Sequence, residues 1–263
     1  KGIPFIDADG TGRAVPALET LLLNVNDCPT SPLGLANGNN DKITVELANP
    51  LNAPLGEKIG RDICGEFGNM VGISGWLIDK KQIEERICVG TMTLTEEIGK
   101  LMRTSDADDA DMFEELSKAG LVDAKVICKG TIKDITTDTR NGFDYGSVII
   151  TSDKTGETYY IRFQNENLLL QKKVGDGFED MMTVPDLTCM YCIDPAGAEG
   201  VEPRMPLSNA DAKVGMKVAV GVIKVDPKWF INGTKWWDVW AECMKNIGYT
   251  GGPLSFDDVK PQE

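Results

Sequence analysis

Val126-Ile127-Cys128-Lys129-Gly130-Thr131-Ile132-Lys133-Asp134-Ile135 decides the fold class. Before it, apolar residues recur at helical spacing. From it onward they alternate or run in short β-branched stretches. Asn141-Gly142 follows as a hairpin signal, because both residues tolerate the left-handed turn that joins two twisted strands. Strands are then expected over Tyr145–Thr151, Thr158–Phe163, Leu168–Lys172, Thr188–Ile193 and Lys217–Val225, with Lys154-Thr155-Gly156 as a turn. Short strands punctuated this regularly predict a mostly antiparallel β lobe, a barrel or a sandwich.

Upstream the pattern is mixed. The apolar run at 3–7 reads as a buried strand. Pro16 suits the first turn of a helix that Ala17 to Val25 can carry. Residues 26–40 are rich in Pro, Gly, Asn and Ser and read as a loop, Ile43–Leu47 as a strand and Asn49–Gly56 as a turn. A helix is expected over Glu57–Phe67, with Ile59, Ile63 and Phe67 on one face, and a strand over Gly72–Ile78. Asp79 caps a further helix, Thr93 with Glu96 has capping-box spacing, and Asp106–Ala119 is a helix stopped by Gly120. The expected architecture is an α/β lobe over 1–123, a β-rich lobe over 124–226 and a Trp-rich tail over 227–263, a two-lobed α+β chain.

Composition excludes much chemistry. The chain of 263 residues contains no histidine, which removes Ser-His-Asp and Cys-His catalysis and histidine-based zinc centres. Acid–base work falls to Asp, Glu, Cys, Tyr or Lys, or to a metal held by oxygen. A net charge of −14 disfavours nucleic acid and anionic membranes as partners. No apolar run approaches the roughly 18 residues of a membrane span. Seven scattered cysteines and the lack of a secretory signal predict a reducing, cytoplasmic setting.

The most chemical stretch is Asp7-Ala8-Asp9-Gly10-Thr11-Gly12-Arg13. In extended backbone Asp7 and Asp9 share a face. At the carboxyl end of a parallel strand they would face a ligand. Gly10 and Gly12 would let backbone amides approach it, and Arg13 could fork onto a carboxylate or carbonyl. The stretch is not a calcium loop: with Asp7 first, the twelfth position is Leu18. A second polar run, Gln164-Asn165-Glu166-Asn167, interrupts the β region without the Gly or Pro of an ordinary turn. Cys189-Met190-Tyr191-Cys192 lacks a second cysteine pair, and in a strand its two thiols face opposite ways. Cys64 reads as a structural thiol. Gly99-Lys100 is not a phosphate loop, since Leu94 and Leu101 stand where Gly and Ser or Thr belong, so no nucleotide cofactor is expected.

Taken together, several segments resemble one family, the S-methyl thiohydantoin desulfurase-like proteins, also described as hydantoinase/oxoprolinase-like. They are Ile6–Pro16, Leu94-Thr95-Glu96-Glu97-Ile98-Gly99, Phe163–Asn167, Val184-Pro185-Asp186-Leu187, Val214-Gly215 with Val218–Val220, and Asp226-Pro227-Lys228-Trp229. The resemblance implies two lobes and a Gly-rich segment of about a hundred residues before Lys1. It also implies hydrolysis of a small cyclic amide, imide or thiohydantoin. In that chemistry Asp9 or Asp7 would act as base or hold a divalent metal. Arg13 and the amides near Gly10 and Gly12 would polarise the carbonyl. Gln164, Asn165, Glu166 and Asn167 would orient the ring, with Asp186 as a further candidate. The other reading is a non-catalytic small-molecule-binding or assembly subunit. Either suits a homo-oligomer or a partner subunit that completes the chain.

Overall fold

The computed structural model describes residues 2–105 and 111–260. The chain forms two compact units, Lys1–Met92 with Asp226–Val239, and Thr93–Val225 with Trp240–Glu263. No helix among the described residues is long and apolar enough to cross a membrane.

The first unit holds β1 (Ala8–Asp9), α1 (Leu22–Val25), β2 (Leu33–Ala36), β3 (Lys42–Val45), α2 (Ala53–Glu66), β4 (Gly72–Ser74), α3 (Lys80–Arg86), β5 (Cys88–Val89) and the start of α4 (Thr91–Thr104). β1 pairs antiparallel with β5, and β3-β2-β4 form a second antiparallel sheet. Two expectations are corrected here. Residues 3–7 are not a buried strand, since Ile3, Phe5 and Ile6 are 81%, 80% and 59% exposed and pairing starts only at Ala8. The carboxylates therefore do not stand at the end of a parallel strand.

Local signals account for several helix starts. The Asn52 side chain accepts from the Leu55 N–H, and Pro54 occupies the first turn of α2. Asp79 and Gln82 form the reciprocal capping box of α3. Thr93 does not open a helix, because α4 already runs from Thr91. The helix expected over 17–25 is broken at Leu21, whose extended backbone separates a 3-10 turn at Leu18–Thr20 from α1. The expected loop at 26–40 contains β2, the central strand of its sheet, with Leu33 and Leu35 buried.

The second unit adds α5 (Met112–Lys118), β6 (Ala124–Arg140), β7 (Phe143–Ser152), β8 (Thr158–Gln164), β9 (Glu166–Val174), β10 (Gly177–Thr183), β11 (Leu187–Asp194), β12 (Pro206–Leu207), β13 (Lys217–Ile223) and most of α6 (Lys235–Asn246). Residues 106–110 of the helix expected over 106–119 lie outside the described residues. The strands form one antiparallel sheet in the order β10-β9-β8-β7-β6-β13-β11-β12. Period-2 burial puts Val148 and Ile150 of β7 and Tyr159, Ile161 and Phe163 of β8 into a single core with Leu170, Met190, Val218 and Val220. The sheet curls: β9 and β11 are not ladder neighbours, yet the Asn167 amide of β9 donates to the Thr188 carbonyl of β11 at 2.9 Å. On the other face of β11 and β13, Met112 and Phe113 of α5 pack on Tyr191 and Ala219. The chain is thus α/β first and antiparallel β second, as its periodicity indicates.

Candidate functional site

In the first unit, Asp9 closes its own turn. Its two carboxylate oxygens accept from the Thr11 N–H at 3.0 Å and the Gly12 N–H at 2.9 Å. Gly12 has a φ of +70°, which favours glycine, and a Cβ there would lie 2.7 Å from the Cys88 sulfur. At Gly10 a Cβ would lie 2.4 Å from Leu23 Cδ1. The space beside both glycines is therefore taken by side chains of this chain, before any ligand is considered. Asp7 is exposed, and its carboxylate accepts from the Met92 N–H at 2.7 Å, in the first turn of α4 where negative charge is favoured. The half-buried Arg13 donates from Nε to the Ala14 carbonyl at 2.9 Å.

A distant segment completes this turn. Asp226 caps the 3-10 helix Pro227–Phe230 by accepting from the Lys228 N–H at 2.8 Å. That helix delivers Trp229, fully buried, whose indole N–H donates to the Thr11 carbonyl at 3.0 Å. Cys88 is buried beside it. Burial first, and then the Asp226 and Asp9 carboxylates, push its thiol up to about 12, so it stays protonated and is no nucleophile at neutral pH.

One acidic pair carries no sequence signal beyond helical spacing. Glu57 of α2 is buried, pairs with Arg61 one turn on, and accepts from the Leu18 N–H at 2.8 Å. Next to it, burial raises the pKa of Glu19, with the Glu57 charge adding to the rise. Glu19 Oε2 is buried without a hydrogen-bond partner among the described residues.

In the second unit, Gln164 ends β8 and Glu166 begins β9, so Asn165 alone makes the turn, at a φ of +53°. Asn tolerates that conformation better than most residues. The Asn165 N–H donates to the Asp144 carbonyl at 2.7 Å, and its side-chain oxygen accepts from the Asp144 N–H at 2.8 Å. The Asn209 amide donates to the Asn165 carbonyl at 2.7 Å and to the Asn167 side-chain oxygen at 3.3 Å. Asn209, missed in the sequence, thus ties the motif together. Two acceptors here, Gln164 Oε1 and Thr188 Oγ1, are buried without a hydrogen-bond partner among the described residues. Glu166 is half-buried, in register with Gln164. Asp186 has other work: its carboxylate accepts from the Val225 N–H at 3.0 Å and the Phe256 N–H at 2.7 Å.

The fold therefore assembles Asp7, Asp9, Gly10, Gly12 and Arg13 in one unit. Gln164, Asn165, Glu166 and Asn167 are assembled in the other. Among the described residues no three Asp, Glu, Cys or His side chains are grouped to hold a metal. Asp7 and Asp9, which spend oxygens on backbone N–H groups, do not by themselves make such a centre.

A family model described as "S-Me-THD-like, N-terminal domain" matches residues 1–47, and one described as "S-Me-THD-like, C-terminal domain" matches residues 52–237. No curated protein matches the chain. Among solved structures it is similar to a Chromobacterium violaceum protein determined by X-ray crystallography as a structural-genomics target. The TM-score is 0.75 at 21% identity, over 95% of this chain and 66% of the other. This chain therefore spans slightly less than two thirds of that protein.

Proposed function

Because this chain belongs to the S-Me-THD-like family, we propose that it serves hydrolase- or desulfurase-like chemistry on a small cyclic amide, imide or thiohydantoin. In this reading the polar cluster at the β8–β9 turn receives the ring. The observation that carries it is the orphaned Gln164 Oε1. A buried acceptor without a partner costs about 1–3 kcal/mol, which an N–H donor would relieve. A ring N–H is such a donor, and Thr188 of β11, whose carbonyl accepts from the Asn167 amide, carries a second unpartnered buried oxygen, Oγ1. Asn167 and Asn209, already ordered by hydrogen bonds, keep the cluster rigid.

Hydrolysis adds water across the ring C–N bond: oxygen joins the carbonyl carbon, the bond to nitrogen breaks, and nitrogen takes a proton. Asp7 and Asp9, both of which accept backbone N–H groups, are the carboxylates proposed as base for that water. Arg13 is the cation nearest in sequence to balance the developing oxyanion. Seven cysteines without disulfides support a reducing, cytoplasmic setting. The exposed Ile3, Phe5 and Ile6 support an oligomer or a partner subunit.

The test is a panel of hydantoin, 2-thiohydantoin and S-methyl thiohydantoin, followed for turnover and, by calorimetry, for binding. Asp7→Asn is expected to lower kcat by about a hundredfold or more with KM little changed. Gln164→Met is expected to weaken binding about tenfold. Binding without turnover by the unaltered chain selects the second reading, a small-molecule-binding subunit. That reading draws support from the Cys88 thiol, which stays protonated, and from the turn-bound Asp9. Neither binding nor turnover of any member overturns both.

A further inference from the structure

The first unit leaves two features without partners, an arm and an edge. The arm is Ile3-Pro4-Phe5-Ile6. Ile3 and Phe5 are 81% and 80% exposed, and among the described residues the backbone of residues 2–5 makes no hydrogen bond. The edge is β4, last in the order β3-β2-β4, so one side of its backbone has no neighbouring strand. All three of its residues are exposed, and beside it Met70 and Leu77 are 80% and 72% exposed.

Open sheet edges are normally blunted by charge, proline or a bulge. β3 carries Lys42, β10 carries Glu179 and Asp180, and β12 begins at Pro206. β4 has none of these, and no charged residue stands between Glu66 and Asp79. Ile73 lies opposite Leu35, as Ile43 does on the other side. This row faces α2, where a Cβ on Gly60 would lie 3.9 Å from Ile73 Cδ1. At 40% exposure, Ile73 is the open end of the row. The arm has matching chemistry. Gly2–Ile6 is uncharged, and in a strand Ile3 and Phe5 offer their N–H and C=O groups to one side. Pro4, which lacks an N–H, falls on the other side, and proline is tolerated in a strand that becomes the new edge.

We propose that residues 3–6 of one copy add as a strand to the β4 edge of a second copy, and that the exchange is reciprocal. Each copy holds one arm without a ladder and one ladder without a strand. Two copies about a two-fold axis satisfy both, with nothing left over. Alternate side chains of the arm continue the Leu35–Ile73 row and cover Ile73. Copies of net charge −14 repel each other, and an uncharged arm on an uncharged edge is where that repulsion is weakest. The exchange does not depend on the proposed reaction.

The test is sedimentation equilibrium of the full chain from about 1 to 100 µM, with hydrogen exchange read at residues 3–6 and 72–74. The unaltered chain is expected to reach twice the mass of a single copy, and exchange at both segments to slow about tenfold or more as the dimer fills. Phe5→Lys, at a position so exposed that a single copy loses little by it, is expected to weaken association about a hundredfold or more. Ile73→Lys at the edge is expected to do the same, both with the far-UV circular dichroism unchanged. Should Ile73→Lys disturb the fold, Phe5→Lys decides alone. A single-copy mass throughout, or a dimer untouched by Phe5→Lys, overturns the proposal. So does a dimer whose exchange slows elsewhere but not at residues 3–6. A dimer lost with Ile73→Lys and kept with Phe5→Lys means that β4 pairs with β4, and the arm is then not the strand.

Discussion

Glu19 is a residue whose acid–base chemistry the fold changes. An acid whose pKa is raised in the folded state binds its proton more tightly there than in the unfolded chain. Folding then loses stability as pH rises from the unfolded value of about 4.5 through the folded one. At neutral pH the group therefore opposes folding, and below the unfolded pKa it does not. Glu19→Gln is expected to raise the melting temperature at pH 7 and to change it little near pH 4. Equal shifts at both pH values would mean that the proton is not responsible. Nothing local in the sequence marks this residue, since the charges that act on it besides burial, Glu57 and Arg61, lie some forty positions away. Asp9 and Asp7 differ in this respect. Their spacing and glycines were visible as a polar turn, but the partners that occupy them were not. Gly10 and Gly12, read as room for a ligand, are filled from behind by Leu23 and Cys88.

Elements were legible where the signal was local. Asn141-Gly142 does join β6 and β7, with both residues at positive φ, and Asp79 does cap α3. β2 was hidden because Pro32 and Gly34 read as loop residues, while burial of Leu33 and Leu35 depends on strands on both sides. The opposite error occurred at residues 3–7, where an apolar run looked buried and the described chain supplies no ladder for it. β10 is an edge strand whose exposed first half carries Glu179 and Asp180, charges that blunt the open edge. Asp186 shows how a motif residue can be conspicuous for reasons of assembly. It joins the start of β11 to the residues after β13 and to the 3-10 turn at Phe256. Asp186→Ala is expected to cost about 3 kcal/mol in urea unfolding, from two buried N–H groups left without an ionised acceptor. A loss below about 1 kcal/mol would show that water replaces the carboxylate there.

Across the whole molecule, neither compact unit is a continuous stretch of chain. The first closes only when Asp226–Val239 returns to it, and the second takes Trp240–Glu263 as well as Thr93–Val225. Boundaries read from composition follow the sequence, whereas packing does not. A chain cut after Val225 is expected to lose hydrogen-exchange protection over residues 9–25, because it lacks the Trp229 side chain that is fully buried against that turn. Undiminished protection there would mean that the turn is held by β1 and β5 alone. The Trp229–Thr11 hydrogen bond also sets an order of events in the cell. The two residues are 218 positions apart. At ribosomal rates of about 5–20 residues per second, Thr11 is made roughly 10–40 s before its partner. The DADGTGR turn, first among the suspected chemical elements to be synthesised, is among the last to be finished. A nascent chain therefore exposes it, with its two carboxylates, until Trp229 has been made.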